Sequence, residues 1–449
     1  MARLMVLGGS NCQRNALIAA RRLGHQTVLI DYYDHPAAAE LADVHVKAST
    51  FDIPACLAAA KEHHANGIFT IGTDQPVYTA ACVAEELGLP SPISTETALA
   101  VTNKKVMKQI LSEHEIPTVR YRMIGLESGP GALDGLRPPF VLKPVDSQGQ
   151  RGIFKLNSVE EVIAHLEQTL SFSRQKEALV EEFYPSTELT VSGWVQNGTL
   201  FLLAATDRQC FDDPVHIGVC VGHRFPTIHI ARYQEIVRLS RRIVDAFAIH
   251  DGPIYIQMLV GTDGIKVNEL ACRIGGAFED VFLPYLSGFN LLRAVIDSAL
   301  GNSVDCSVLE GYDLSQNPRQ VSVQLMFCGS GKVCAITPLE ELRALPYVLD
   351  AGYNYHPGDR IPSLENATAR FGHCVMVSEN GGMEEKLREL YRLFRVLDEN
   401  GRNLVIPRNL AGEIPAYAQK EHPIEKDRKK AGCGTDGCSI NRRIEYRLR

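Results

Sequence analysis

The chain has 449 residues, 45% of them hydrophobic and 22% charged, and a formal net charge of −7. That balance belongs to a soluble globular enzyme of about three domains, not to a disordered chain. The negative balance and the lack of a long basic stripe argue against nucleic acid as a partner. No stretch reaches the roughly 18–20 apolar residues of a membrane span, which argues against a membrane partner.

The opening MARLMVLGGS has too short an apolar core for a secretory leader and runs straight into a glycine turn. A cytoplasmic location is expected. Of the 12 cysteines, Cys82, Cys220 and Cys328 stand in apolar contexts and read as small buried hydrophobes. Cys433 and Cys438 flank GTDG in a basic tail; a metal knuckle would need more ligands at tighter spacing.

Residues 3–8, 26–33 and 67–74 read as strands, and residues 15–24, 56–65 and 75–88 as amphipathic helices between and after them. Such alternation predicts a parallel, doubly wound sheet, a Rossmann-like arrangement. Gly8 and Gly9 fall at the first strand-to-helix turn, and Asp31 ends the second strand. The third glycine of a dinucleotide fingerprint is missing, so tight turn chemistry is preferred over NAD binding.

Residues 103–117 predict a lysine-rich amphipathic helix stopped by Ile116-Pro117. A glycine-rich linker over 128–139 leads to the strand VLKP and then to SQGQRG. A helix follows over 158–170, then strands over 178–207 with turns at Pro185-Ser186 and Asn197-Gly198. A helix over 233–249 precedes a hairpin of 253–261 and 264–271 that ends in Arg273-Ile274-Gly275-Gly276. Residues 319–337, 353–362 and 369–380 read as strands and 383–397 as a helix.

Lys143 ends an apolar strand before Pro144, and the loop Ser147, Gln148, Gly149 to Gly152 follows. A cation facing a flexible loop rich in backbone N–H groups suits a polyphosphate, although the Walker pattern is absent. Lys104, at a helix start, supplies a second ammonium that could clamp phosphates. Its neighbours Lys105 and Lys108 read as a solvated helix face. Glu181, Glu182 and Phe183 close a strand, and Glu188 follows the turn. Such carboxylates could hold adenine and ribose, but an ordinary acidic strand edge is preferred on these residues alone.

Gln257 and Glu269 fall at matching points of the hairpin, where one amide and one carboxylate could hold Mg²⁺ (or Mn²⁺) together with ATP. Arg273 would then face the transferring phosphoryl group or an anionic substrate.

In this order the motifs resemble the ATP-grasp superfamily over roughly residues 1–400. Within it the chain is similar to the branch of biotin carboxylase and carbamoyl-phosphate synthetase, which includes carboxylate–amine ligases of the L-amino acid ligase type. The resemblance implies a Rossmann-like domain over 1–102 and an ATP-grasp domain over 103–315, with a lid over about 123–205. It implies a small α+β domain over 316–410, leaving 411–449 as a basic flexible tail.

It further implies ATP and Mg²⁺ as cofactors and small-molecule carboxylate and amine substrates; a homodimer is left open. Lys104 and Lys143 become phosphate ligands, Glu181 and Phe183 flank adenine, and Glu188 holds ribose. Glu269 holds the metal, and Arg273 stabilises the acyl-phosphate transition state. His223, in the stretch GHRFP, is either a substrate contact or a loop-structuring residue, and Gly275 and Gly276 lie on the substrate side. Arg208, His216 and Arg224 are further candidates.

Two positions depart from the family pattern. Gln257 stands where a glutamate is usual, and Ala271 replaces the asparagine of E-x-N-x-R. Asn268 is adjacent, but strand alternation directs it to the other side. The function expected is formation of an amide or peptide bond through an acyl phosphate, releasing ADP and phosphate. The alternatives are a bicarbonate-phosphorylating carboxylase-like enzyme and a weakly catalytic nucleotide-binding protein.

Overall fold

The computed structural model describes residues 1–147, 149–211, 218–379 and 381–406. Gln148, His216 and the tail with Cys433 and Cys438 lie outside the described residues. Among the described residues no helix is long and apolar enough to cross a membrane.

Strands β1 (Arg3–Leu7), β2 (Gln26–Asp31), β3 (Val44–Lys47) and β4 (Gly67–Phe69) form a parallel sheet in the order β3-β2-β1-β4. Helix α1 (Arg14–Arg22) crosses from β1 to β2 and α2 (Ile53–Glu62) from β3 to β4, as parallel pairing requires, and α3 (Pro76–Leu87) follows β4. The expected doubly wound sheet is present, with β3 as a strand the hydropathy pattern did not show. Gly8 has φ of +102°, and a Cβ on Gly9 would stand 2.8 Å from Pro36. Asp31 accepts hydrogen bonds from the backbone N–H of Gly9 at 2.7 Å and Tyr33 at 2.9 Å. The glycines and the acid therefore hold their own turn together.

Helix α4 (Thr95–Thr102) leads into α5 (Lys104–Glu113), whose N-cap Asn103 accepts from Lys105 N and Val106 N. A small antiparallel sheet follows, with β5 (Tyr121–Gly125), β6 (Phe140–Pro144), β7 (Phe154–Leu156) and β8 (Glu177–Glu182) in the order β5-β8-β6-β7. Helix α6 (Val159–Leu170) covers it, and Ile124, Phe140, Leu142, Val162 and Leu166 give the pair a core of its own.

The largest sheet has eight strands. Its first five in sequence are β9 (Ser186–Gln196), β10 (Thr199–Cys210), β11 (Cys220–Phe225), β12 (Gly252–Gly261) and β13 (Gly264–Ala271). Helices α7 (Tyr233–Ala246), α8 (Glu279–Ser287) and α9 (Leu291–Ala299) accompany them. The order β13-β12-β9-β10-β11 continues through β14 (Gln320–Met326). Next come β15 (Gly331–Lys332), β16 (Ala335–Ile336), α10 (Leu339–Arg343), β17 (Val348–Tyr353), β18 (Arg360–Ile361), β19 (Gly372–Ser378), α11 (Met383–Leu393) and β20 (Val396–Leu397). Strands β19 and β17 extend the large sheet beyond β14, while β15 pairs with β18 and β16 with β20. The hydrogen-bonded ladder thus crosses residue 315 without a break, through β11 and β14. Strands β9 and β10 belong to this sheet, and the small sheet ends at Glu182.

Trp194 on β9 is fully buried, its ring 5.5 Å from Phe289 just before α9. Truncating it opens a cavity between sheet and helix, and Trp194→Ala should cost about 3–5 kcal/mol. Urea denaturation followed by circular dichroism checks this.

Candidate active site

Lys104 opens α5, and its Nζ donates to Ser147 O at 3.1 Å and pairs with Glu269 Oε2 at 3.5 Å. Lys143, buried on β6, pairs with Glu181 Oε2 at 2.5 Å and donates to Asn268 Oδ1 at 3.2 Å. Lys108 is not on a solvated face: it is 1% exposed, and its Nζ meets Glu181 Oε1 at 2.6 Å and Thr118 Oγ1 at 2.5 Å. One helical turn separates Lys108 from Lys104, so both point inward from α5, whereas Lys105 is exposed and pairs with Glu177 at the start of β8. Burial draws the Lys108 ammonium below its ordinary range despite the attraction of Glu181. Burial would raise the Glu181 carboxyl, but Lys108 and Lys143 outweigh it and hold it below its ordinary value.

The hairpin β12–β13 brings Gln257 opposite Glu269, as the spacing predicts. The register slips at the next step: Met258 faces Val267, leaving Asn268 as the extra residue of a bulge. The bulge overrides strand alternation. Asn268 therefore turns toward Lys143, with its Nδ2 at 3.5 Å from Gln257 Oε1, rather than to the opposite side. Burial would raise the Glu269 carboxyl, but Lys104, Lys143, Arg208 and Arg273 together keep it low. One carboxylate and two amide side chains thus converge beside two lysines. Among the described residues no cluster of three or more His, Cys, Asp or Glu side chains is placed to hold a metal.

Ala271 lies opposite Tyr255, whose hydroxyl accepts from Gln257 Nε2 at 3.1 Å. Arg273 lies over the Tyr255 ring at 4.5 Å and is buried. Its Nε and Nη2 donate to Asp74 Oδ1 at 2.8 and 2.5 Å, and Nη1 donates to Ile274 O at 3.1 Å. Asp74 comes from the turn between β4 and α3. That turn is pinned by Gly72 N donating to Ile274 O at 2.9 Å, and a Cβ on Gly276 would lie 2.7 Å from Gly72 O.

The remaining predicted residues spread over the walls of the cleft. Glu182 accepts from Arg137 N at 3.0 Å and from Arg120 at 3.3 Å, and the Lys155 ammonium sits 3.5 Å from the centre of the Phe183 ring. Glu188 on β9 is paired with Arg208 on β10, which also donates to Gly218 O at 2.9 Å. Gly149 and Gly152 both have positive φ, and a Cβ on Gly152 would lie 2.7 Å from Phe172. Gly149 O accepts from Ala367 N at 3.4 Å, so the glycine loop touches the C-terminal small domain. Ser147 Oγ is buried and has no hydrogen-bond partner among the described residues.

His223 on β11 is 1% exposed and shares a 2.9 Å hydrogen bond with Thr206 Oγ1. Burial lowers it to about 4, against the attraction of Glu279, so it is neutral at physiological pH. Arg224 points the other way and pairs with Glu384 at 3.7 Å. Gly275 is required by Glu279, whose Oε1 would stand 2.0 Å from an added Cβ. Gly276 O accepts from Arg370 Nη1 at 3.3 Å and from the Cys12 thiol at 3.4 Å.

Four functional candidates escaped the sequence reading: Lys108, Asp74, Glu279 and Asp280. Lys108, Asp74 and Asp280 have partners distant in sequence, Glu279 accepts from Ala277 N at 2.8 Å, and Lys108, one turn from Lys104, left a local signal. Burial pushes Asp280 up to about 7, against its 2.7 Å hydrogen bond from Asn15, with Asp350 and Glu279 adding to the rise.

Two expectations follow. Lys108→Met leaves buried Glu181 Oε1 without its partner, with Lys143 alone on the carboxylate, and should cost about 2–3 kcal/mol, whereas exposed Lys105→Met should cost under about 0.5 kcal/mol; guanidinium melts of both measure the contrast. Asp280 binds its proton more tightly folded than unfolded, so its contribution is full at acid pH and is lost as pH rises toward 7. Relative to Asp280→Asn, the native chain should therefore lose about 2 kcal/mol between pH 5 and pH 8, read from denaturation at each pH.

The ATP-grasp domain model matches residues 136–279, and the model of L-amino acid ligase C-terminal domain 2 matches residues 323–396. The chain is 24% identical over 337 residues to an L-arginine-specific L-amino acid ligase of Bacillus subtilis, covering 72% of this chain and 77% of that one. It is 21% identical over 301 residues to dapdiamide A synthase of Enterobacter agglomerans, covering 64% and 69%. The crystal structure of an L-amino acid ligase from Bacillus licheniformis superposes with a TM-score of 0.75 at 19% identity, over 89% of this chain and 99% of that one. Phosphoribosylglycinamide synthetase from Anaerococcus prevotii gives 0.68 at 17% identity, over 89% and 100%. The small sheet with its lysines and the hairpin with Glu269 and Arg273 are thus the two halves of an ATP-grasp domain, which this chain joins to an L-amino acid ligase C-terminal domain.

Proposed function

We propose that the chain uses ATP to join the carboxylate of one small molecule to the amine of another, and that at least one of the two is an amino acid. The observation that carries this reading is the convergence of Lys104, Ser147, Tyr255, Glu269, Ala271 and Arg273 around one cavity of about 20 Å³. The names of the two curated relatives, an L-amino acid ligase and a dapdiamide synthase, support the amino acid as substrate class.

A cavity of that size holds about one water. Nucleotide entry therefore requires the small sheet, the unit proposed as the lid, to move off the hairpin. Once inside, the phosphates replace Glu181 and Glu269 as partners of Lys143 and Lys104. Adenine lies toward β8 and Phe183, and Glu188 faces the ribose. Glu269, with the amide oxygens of Asn268 and Gln257, offers hard oxygen donors that would hold one Mg²⁺, which would supply charge neutralisation to the phosphates.

A carboxylate oxygen of the first substrate attacks the γ-phosphorus, and the bond to the β-bridging oxygen breaks to release ADP. Lys143, Lys104 and Arg273 neutralise charge as it spreads over the transferring group. Gly275 and Gly276 let the substrate approach close to the backbone, and closure of the small sheet keeps water from the acyl phosphate. The amine lone pair then attacks the carbonyl carbon, phosphate departs, and loss of one proton from nitrogen leaves the amide. His223, neutral and fixed by Thr206, orients rather than carries charge.

Phosphate release with ATP, Mg²⁺ and pools of amino acids tests the reading. Turnover should require an amino acid, and Lys143→Ala and Glu269→Gln should each lower it by about 100-fold or more. No turnover with any pool would overturn it, and turnover that needs bicarbonate alone would replace it with a carboxylase-like reaction.

A further inference from the structure

We infer that Asp74, in the turn after β4 of the N-terminal parallel sheet, is a positioning residue that aims the Arg273 guanidinium at the transferring phosphoryl group. The inference rests on the proposed phosphoryl transfer and adds a component from outside the matched ATP-grasp segment of 136–279.

Arg273 carries five N–H groups. Nε and one N–H of Nη2 converge on Asp74 Oδ1, and one N–H of Nη1 is taken by Ile274 O. Among the described residues the other two N–H groups have no hydrogen-bond partner, so they are available to an anion. The Tyr255 ring beneath the guanidinium fixes its plane. Asp74 and Arg273 line the same cavity as Lys104 and Glu269, so the pair stands inside the reacting space rather than at a remote interface.

Asp74 is itself held in place. Gly72, at φ of +73°, donates to Ile274 O, and the next residue, Gln75, donates through Nε2 to Thr102 O at 2.6 Å. Without the carboxylate, a guanidinium on a flexible stem would sample several orientations and lose the alignment that makes a preorganised donor effective. Lys104 and Lys143 have their own partners, so nucleotide affinity does not depend on Asp74.

The experiment measures binding of MgADP, and of MgADP with aluminium fluoride as a mimic of the transferring phosphoryl group, by calorimetry on the full chain. It requires neither substrate nor turnover, so it stands apart from the test of the ligase reading. Asp74→Ala should bind MgADP within twofold of the native chain and lose at least tenfold of the extra affinity that aluminium fluoride confers. Asp74→Asn, which keeps one acceptor oxygen, should lose less. Arg273→Ala should lose the same extra affinity, and the double variant should be no worse than Arg273→Ala. Full retention of the aluminium fluoride effect in Asp74→Ala, or additive losses in the double variant, would overturn the inference. MgADP binding in each variant shows that the fold is intact.

Discussion

The active cleft depends on one buried carboxylate. Glu181 pairs with both Lys108 and Lys143, and without it two ammonium groups would stand together in a buried site. Burying a lone charge costs several kcal/mol, so the two buried lysines depend on this one carboxylate. Because Lys108 is on α5, Lys143 on β6 and Glu181 on β8, the triad also fastens the helix to the small sheet. On the proposed function, phosphate binding and packing of the small sheet would be coupled: an incoming polyphosphate would compete for Lys143 and loosen one bond of the fastening.

The opposite wall follows a different logic. Across β12 and β13 a single extra residue redirects two side chains, so Asn268 and Glu269 work on neighbouring faces of one site. The amide that the family pattern puts at position 271 is gone, and Tyr255 faces that position. A sterically small alanine opposite a large phenol is a packing solution, and it makes the aromatic ring the floor under Arg273.

Much of this was legible from residue order. The alternation of apolar runs and amphipathic helices specified the parallel sheet, because buried parallel strands and their crossovers have distinct periodicities. The hairpin was legible because Thr262-Asp263-Gly264 is strong turn chemistry, and Gln257 opposite Glu269 followed by counting. What escaped has a common cause. A bulge is a one-residue slip with no composition of its own, so Asn268 was assigned to the other face. Lys108 read as solvated because its partner is 73 positions away by sequence numbering, and Asp74 carried no signal until the parallel sheet docked on the hairpin's end.

The ladder from β13 to β17 is continuous, and one of its joins, β11 with β14, links the two segments that match separate domain models. The C-terminal unit is therefore not a bead on a string. Cutting the chain near residue 315 would bare the edge of β11, a row of unpaired N–H and C=O groups that invites association. Exchange of C-terminal units between related enzymes, by evolution or by engineering, must carry this strand pairing along. Parts on the far edge can change only as fast as a common backbone register allows.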